Sequence, residues 1–267
     1  MNYLYFFFFC VLASTLTAAT PNSLPVISEY HVQKKIGEGD QARVYKAQDS
    51  QGTTVAIKVF YTKSEVQQIH PEKTPYLDTL FSEDGSSSAA QLERDVAARL
   101  DHPNIMKLYA HASTLSADGE KREYVVLEYV HGSPIGTVTL SAAKAKKIAF
   151  QLINTLRHAS EQGLLHCDLW SDNLFIDKKY NLKIIDLGSF EPLSNKAHTT
   201  FRSYWKAIFQ IIQTLGIEKS LEKSLNSYVE QQKNFSLSSK NQSLIVFHLQ
   251  ALENIASAEN VRMSGTN

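Results

Sequence analysis

The feature that most constrains the fold is the stretch 166–188, which reads HCDLWSDNLFIDKKYNLKIIDLG. Two short apolar runs, at 174–176 and 182–185, flank a polar turn at 178–181. Apolar runs of this length around a polar turn are typical of a β-hairpin. The sequence therefore predicts that the two ends of this stretch lie side by side.

Three polar side chains stand at the ends of the predicted hairpin. Asp168 and Asn173 come just before its first strand, and Asp186 comes just after its second. Pairing of the strands would bring all three to one end, where one acid could accept a hydroxyl proton and two oxygen donors could bind a hard cation. Acidic turn residues beside strands are also common without any function, so the upstream sequence has to decide.

The first third of the chain predicts an antiparallel sheet. A strand over 30–36 runs into the turn GEGDQARVYKA, and further strands are predicted at 44–47 and 55–60. This order differs from a dinucleotide-binding unit, in which the glycine turn opens a helix. Gly37 and Gly39, taken alone, also fit a plain hairpin.

The next segments predict one helix and a further strand before a hinge. The polar segment 61–90 is expected to be an exposed, mobile insertion. A helix is predicted over 89–100, with Glu93 on the edge of its apolar stripe. An apolar strand over 123–130 then runs towards Gly132, where we expect a hinge between two lobes.

The remaining elements are a strand and several helices. A strand is predicted at 105–110 and a long helix from Ser141 to about Gln162. Three more helices are predicted at 199–215, 217–232 and 244–256. The expected organisation is a signal peptide, a linker, an N-lobe, a C-lobe and a tail, at 1–19, 20–29, 30–130, 131–256 and 257–267.

Composition and the N-terminus bear on partners and location. Lys+Arg and Asp+Glu both count 27, so no net charge favours nucleic acid or an anionic membrane as a partner.

The apolar run at 3–13, followed by a candidate cleavage region at 17–19, is typical of a signal peptide, although no Lys or Arg precedes it. We expect export and no stable membrane insertion after cleavage; the alternative is a membrane anchor formed by the uncleaved segment. Cys10 and Cys167 are the two cysteines, so a cleaved chain would contain no internal disulfide.

Together these motifs resemble those of the eukaryotic-like protein kinases. The elements are the GEG turn, VAIK at 55–58, Glu93 before HPN, H-x-D-x-x-x-x-N from His166, and D-L-G from Asp186. The resemblance covers 30–188. It implies an α+β, two-lobed protein-kinase-like fold, with an antiparallel sheet and one helix in the N-lobe and a reduced, mainly helical C-lobe.

The resemblance also implies a role for each polar residue. Lys58 would bind the α- and β-phosphates of ATP, with Glu93 as its counter-charge. Asp168 would accept or orient the proton of the substrate hydroxyl. Asn173 and Asp186 would hold Mg²⁺.

A second group of residues would surround the nucleotide. In the resemblance, Leu127 corresponds to the gatekeeper, the backbone of Glu128 and Val130 would bind adenine, and Ala42 replaces a third glycine. The remaining residues assigned to the nucleotide are Ile36, Gly37, Gly39, Val44, Ala56 and Phe175.

Several departures limit what the resemblance implies. Cys167 replaces the arginine that many kinases use to bind a phosphorylated activation loop, so we expect activity without that phosphorylation. Trp170 replaces the lysine that neutralises the γ-phosphate, and DLWSDN is similar to the loops of aminoglycoside and fructosamine kinases. No A-P-E motif follows Gly188, so the activation segment is shortened, as in the compact kinases that pathogenic bacteria deliver into host cells.

Three functions remain open on the sequence alone. The first is a Ser/Thr protein kinase that uses ATP and Mg²⁺, exported to act on a host protein. The second is a small-molecule kinase, and the third is a nucleotide-binding pseudokinase scaffold. The identity of the substrate and the need for an activating partner are not predicted.

Overall fold

The structure, a computed structural model, describes residues 25–116 and 119–192. These ranges contain ten strands and four α-helices, joined by turns and short 3₁₀ segments. In chain order they are β1 (Tyr30–Glu38), β2 (Ala42–Asp49), β3 (Thr54–Phe60), α1 (Lys63–Ile69), α2 (Leu77–Leu80), α3 (Ser88–Ala97), β4 (Leu108–Leu115), β5 (Lys121–Glu128), β6 (Ser133–Pro134), α4 (Ala142–Glu161), β7 (Leu164–His166), β8 (Leu174–Ile176), β9 (Leu182–Ile184) and β10 (Phe190–Pro192).

The N-lobe is built on a five-stranded antiparallel sheet in the order β1-β2-β3-β5-β4. Side chains alternate between the two faces of a strand, and β3 carries apolar residues on both. Val55, Ile57 and Val59 pack into a cluster on the outer face, whereas Ala56 and Phe60 face the second lobe. The sheet therefore has a buried face on each side.

The second lobe packs against the inner face of this sheet. One core cluster continues from Ala56 and Leu127 to Ile148 and Leu152 on α4 and to Ile184 on β9. Ser141 precedes α4 as its N-cap, although its side chain makes no capping hydrogen bond. The shared core fixes the predicted hairpin beneath the sheet.

The predicted hairpin is present. Strands β8 and β9 pair antiparallel, with Leu174 opposite Ile184 and Ile176 opposite Leu182. The short strand β6 pairs with the other edge of β8, and a Cβ on Gly132 would lie 2.6 Å from the carbonyl oxygen of Ile176. Only glycine permits this close approach of the two backbones.

The segment 61–90 is folded, in contrast to the predicted exposed insertion. Helices α1 and α2 lie within it, and α3 begins at its end. Tyr61, Val66, Leu77 and Phe81 form a buried cluster of their own. Leu77 and Phe81 are four residues apart, but Tyr61 and Val66 do not continue that helical spacing, so no single period across the segment predicted the cluster.

Two other boundaries differ from prediction. The strand predicted at 105–110 starts later, as β4. The backbone groups of Asn104 and Met106 instead hydrogen-bond Ile184 of the β8–β9 hairpin. Ile27, in the predicted linker, is buried in the outer cluster of the sheet. The predicted tail and the three last predicted helices lie outside the described residues, as does the predicted signal peptide. None of the helices in the described ranges is long and apolar enough to cross a membrane.

The predicted fold class is confirmed. The architecture is mixed α+β, with an antiparallel N-lobe sheet and one long helix behind the β8–β9 hairpin, and the N-lobe contains α1 and α2 in addition to the one helix predicted there.

Candidate active site

Lys58 is the centre of the charged cluster between the lobes. It lies on β3, and its Nζ hydrogen-bonds Oε1 of Glu93 from α3 and lies 3.0 Å from Oδ1 of Asp186, which follows β9. The Glu93 side chain is 1% exposed and that of Lys58 is 18% exposed. Three distant segments thus meet in one ion-paired cluster.

The charges in this cluster depend on one another. Burial opposes the charge on Lys58, but the fields of Glu93 and Asp186 offset that cost and raise the pKa of the ammonium group. Burial raises the pKa of Glu93, against the influence of Lys58. Burial also tends to raise the pKa of Asp186. The charge of Lys58 and a hydrogen bond from Ser189 outweigh it, so the pKa of this carboxyl is lowered. The charge on Lys58 is therefore stabilised by its two acidic partners.

The Asp186 carboxylate is held from two sides. Its backbone is left-handed, with φ 64 and ψ 77, a conformation that aspartate adopts more readily than most residues. Ser189 donates its hydroxyl to Oδ2 at 2.5 Å and its N–H to the Asp186 carbonyl at 3.1 Å. Ser189 is a site residue that the sequence reasoning missed, and its place one residue after D-L-G was the available signal.

Gly188 lets the D-L-G turn approach α3. A Cβ at this position would lie 3.0 Å from Oε1 of Glu93 and 3.6 Å from Oδ1 of Asp186. The first distance is tighter than ordinary van der Waals contact, so a side chain would press directly on the ion pair. A side chain at this position would therefore fit only if the Glu93 carboxylate shifted by a few tenths of an ångström.

Asp168 and Asn173 form the second part of the site. The Asn173 amide donates from Nδ2 to Oδ2 of Asp168 at 3.0 Å and to its carbonyl at 2.9 Å. The Ile185 N–H donates to the Asn173 carbonyl at 2.9 Å, which ties this loop to the end of β9. Because Nδ2 faces Asp168, the amide oxygen of Asn173 is turned away from Asp168.

His166 supports this loop from below. The side chain is buried, its Nε2 lies 3.2 Å from the Ile185 carbonyl, and its Nδ1 accepts the Asp168 N–H at 3.3 Å. Burial lowers the pKa of the ring. The neutral ring with its proton on Nε2 satisfies both hydrogen bonds, so His166 holds the loop and does not transfer protons.

The glycine turn between β1 and β2 covers one side of the cleft. Gly37 pairs with Val44, and the Gly39 N–H donates to the Ala42 carbonyl at 3.0 Å. Apart from its chain neighbours Glu38 and Asp40, no atom of the described residues lies within 4 Å of the position that a Gly39 Cβ would take. A ligand could therefore approach the backbone there without meeting a side chain.

The apolar residues assigned to adenine line the same cleft. Ala56 pairs with Leu127 across β3 and β5, and both are buried. Val44 and Phe175 are half-buried, whereas Ile36 is 43% exposed. Ala56 and Leu127 thus belong to the core and Val44 packs against it, whereas Ile36 lies at the rim.

Some backbone groups of the hinge already form hydrogen bonds within the protein. The Glu128 N–H donates to the Lys107 carbonyl at 2.9 Å, and the Gly132 N–H donates to the Val130 carbonyl at 3.1 Å. An adenine contact would therefore use the other backbone group of Glu128 and of Val130. The Glu128 side chain binds Lys183 at 2.7 Å, a contact that the sequence did not predict.

The site fits a divalent cation bound together with phosphate. Asp168, Asp186 and Glu93 supply three carboxyl groups against the single ammonium of Lys58, and Asn173 adds an amide oxygen. No group of three or more His, Cys, Asp or Glu side chains in the described ranges could hold a metal ion unaided. Mg²⁺ is usually bound by one or two protein groups together with phosphate oxygens, which matches this donor set.

The acceptor side of the loop is open. Cys167 is exposed, and Trp170 is 66% exposed. The backbone N–H of Trp170 donates to the Asp168 carbonyl at 3.1 Å. The backbone of Trp170 is therefore fixed relative to Asp168, although the ring is exposed to solvent. The structure thus puts a large aromatic surface beside Asp168 where the family pattern has a lysine.

Comparison with known proteins agrees with this geometry. The model of the protein kinase domain matches residues 30–207. Among similar proteins are the probable serine/threonine-protein kinase PknB of Bifidobacterium longum, 26% identical over 184 residues, and CBL-interacting serine/threonine-protein kinase 21 of Arabidopsis thaliana, 29% identical over 167 residues. The matches cover 65% and 61% of this chain.

The relatives are much longer proteins. The matched part spans 24% of the Bifidobacterium protein, 35% of the Arabidopsis protein and 30% of CBL-interacting protein kinase 11 of Oryza sativa subsp. japonica, to which this chain is 28% identical. The likeness is therefore confined to the kinase domain. With the domain match over most of the chain and the cluster of Lys58, Glu93, Asp168, Asn173 and Asp186 in one cleft, the chain belongs to the protein kinase family.

Proposed function

We propose that the chain is a Ser/Thr protein kinase that transfers the γ-phosphate of ATP to a protein hydroxyl with the help of Mg²⁺. The observation that carries this proposal is the position of Lys58 Nζ, bonded to both Glu93 and Asp186. Phosphoryl transfer depends mainly on positioning and on neutralising charge, and this cluster serves both needs. The printed names of the relatives support protein hydroxyls as acceptors.

Each residue has a defined task in this reaction. Lys58 binds the α- and β-phosphates, and Glu93 keeps its ammonium in place. Asp186 and the amide oxygen of Asn173 would hold Mg²⁺, which would neutralise phosphate charge. Asp168, fixed by the Asn173 amide, orients the acceptor hydroxyl and takes its proton.

A small-molecule kinase is the second candidate, because Trp170 is exposed beside Asp168. Incubation with labelled ATP and a cell lysate separates the two. We expect label in proteins at Ser or Thr, mapped by mass spectrometry, with none from an Asp168→Asn variant. Label that appears in metabolites alone would exclude the protein kinase. A cellular effect that survives Asp168→Ala would support the scaffold instead.

We also propose that activity does not need phosphorylation of an activation segment. Two observations support this: the Lys58 to Glu93 pair is formed in the unmodified chain, and Cys167 offers no guanidinium to a phosphate group. Phosphatase treatment should therefore leave the rate of transfer unchanged. A large loss of rate after treatment would contradict this part of the proposal.

Export to a host cell is a further proposal, supported by the apolar run at 3–13. ATP is scarce outside the cytosol, so an exported kinase needs a destination that contains ATP, and the substrate would then be a host protein. Sequencing the N-terminus of the protein recovered outside the producing cell would test cleavage near 17–19. Retention of the whole chain in the membrane fraction would favour the uncleaved anchor.

A further inference from the structure

The segment between β3 and α3, residues 61–87, is called the β3–α3 insert below, and it contacts the glycine turn directly. The Tyr61 hydroxyl donates to Oε1 of Glu38 at 3.1 Å. The Lys73 ammonium lies 3.3 Å from Oδ2 of Asp40 and 3.4 Å from its carbonyl. Glu38 and Asp40 stand on either side of Gly39, so the insert binds the turn on both sides of its open glycine.

A chain of charges connects this turn to the rest of the N-lobe. Arg43 donates to Glu38 at 3.0 Å and to Glu65 of α1 at 3.2 Å. Glu65 also pairs with Arg122 of β5 at 2.9 Å. Hydrogen bonds from Lys35, Tyr61 and Arg43 lower the pKa of Glu38 to about 2. Glu38 is therefore a stable anion that its neighbours can hold across the physiological pH range.

The insert is folded firmly enough to hold the turn. Tyr61 is 3% exposed and packs with Val66, Leu77 and Phe81, while the Arg43 guanidinium lies 4.6 Å above its ring. A complete capping box at Thr62 fixes the start of α1. The hydroxyl that reaches Glu38 is thus attached to a buried ring.

The other end of the insert meets the helix that carries Glu93. Ser88 at the start of α3 donates its hydroxyl to the Thr79 carbonyl at 3.0 Å, and Phe81 forms a β-bridge with Ser87, the N-cap of α3. A cavity of about 290 Å³ lies between the glycine turn, the insert, α3 and Gly188. The insert therefore contacts two of the elements that surround the phosphates.

We propose that the β3–α3 insert is a positioning device for the glycine turn, with Tyr61 and Lys73 as positioning residues for the phosphates of the nucleotide. This inference rests on the proposed use of ATP. A glycine turn is costly to order when a ligand binds, and contacts that order it beforehand reduce that cost. Neither residue touches the reacting atoms, so they act on nucleotide affinity through the turn.

The test compares Tyr61→Phe, Lys73→Met and the double variant with the unaltered chain. Tyr61→Phe removes one hydrogen bond to Glu38 and keeps the ring in its cluster, whereas Lys73→Met removes both contacts with Asp40. We expect the Kd and KM for Mg-ATP to rise by about two- to tenfold for each single change. The kcat should change by less than about twofold, since the chemical step uses other residues. Lys73→Arg should restore most of the affinity.

Matched controls come from the same insert. Lys63 pairs with Asp78 at 3.3 Å on the solvent-exposed side of the insert, and Tyr76 is 62% exposed. Lys63→Met and Tyr76→Phe therefore remove the same chemical groups from positions that do not contact the turn. Neither control should alter the affinity for Mg-ATP.

Hydrogen exchange of residues 37–41 in the nucleotide-free protein gives a readout that needs no catalysis. We expect faster exchange there in Tyr61→Phe and Lys73→Met, and no change in the two controls. Unchanged exchange and unchanged nucleotide affinity in both variants would overturn the inference, as would a fall in thermal stability without a change in Kd. If the unaltered chain transfers no phosphate while exchange responds as expected, the proposed function fails and the positioning contact stands.

Discussion

The two ends of the cleft differ in how far the protein has enclosed them. At the nucleotide end, Lys58 and Glu93 are largely removed from solvent, and each charge is matched by another. At the acceptor end, Cys167 and Trp170 are exposed beside Asp168. The enclosed end retains every charged residue of the family pattern, whereas the two positions at which a charged residue of that pattern is replaced, Cys167 and Trp170, lie at the open end. We therefore expect the buried charges to determine the reaction and the open end to select the substrate.

The largest expected effect comes from the enclosed end. Asp186→Asn removes the charge that lies beside Lys58 and that we assign to Mg²⁺, so kcat should fall by about 10²- to 10³-fold. The fold should remain, because asparagine has almost the same shape and can also adopt the left-handed backbone. Steady-state kinetics together with circular dichroism checks both points. Activity within twofold of the unaltered chain would mean that the enclosed end does not determine the reaction.

The burial of the ion pair predicts a large effect on stability. Lys58→Met leaves Glu93 without its partner, and breaking a buried pair in this manner costs about 3–5 kcal/mol. Adding Glu93→Gln removes the unmatched charge and should recover part of this loss. Urea unfolding of the single and double variants measures the difference. A double variant no more stable than Lys58→Met would show that the charge at Glu93 is not the cause.

The contribution of His166, beneath the acceptor end, to the free energy of unfolding should depend on pH. Burial lowers the pKa of His166, so below about pH 6.5 the unfolded chain takes up a proton that the folded chain resists. The stability that His166 contributes is complete above that pH and is lost as the pH falls towards its folded pKa, by at most about 1.4 kcal/mol per pH unit. Urea unfolding between pH 5 and 7.5 should show a shallower decline for His166→Gln. Equal slopes would contradict a buried neutral ring.

The smallest effect should come from the open end. Trp170→Ala removes an exposed aromatic surface without altering any group of the nucleotide end. We expect the KM for the acceptor to rise by about three- to tenfold, equivalent to 0.5–1.5 kcal/mol of aromatic contact, with the Kd for Mg-ATP unchanged. Separate titrations of the two substrates measure this. A change confined to ATP would place Trp170 with the nucleotide and remove the distinction between the ends.

The enclosed end was also the more predictable one. Glu93 and Asp186 are 35 and 128 residues from Lys58, yet their motifs placed all three in one site. The hairpin followed from its apolar runs, which have the length of strands. Those signals are strong because a buried charge and a buried strand each restrict the residues that can replace them.

The sequence did not predict the contacts that hold the site in place. Ser189, Tyr61 and Lys73 act through single hydroxyl or ammonium groups, and such residues are common on any surface. The β3–α3 insert was expected to be exposed because its polar residues outnumber its apolar ones, yet four scattered apolar residues are enough for a cluster. Only the folded chain shows which of them face inward.

The close contact between Gly188 and Glu93 has a consequence for inhibition. A Cβ on Gly188 would lie 3.0 Å from Oε1 of Glu93, so α3 cannot move towards the D-L-G turn without displacing it. Outward movement of α3 meets no such obstacle, but it would separate Glu93 from Lys58, which could keep its contact with Asp186. A compound that selects an outward position of α3 would therefore act by breaking the ion pair and would leave the residue assigned to the metal in place.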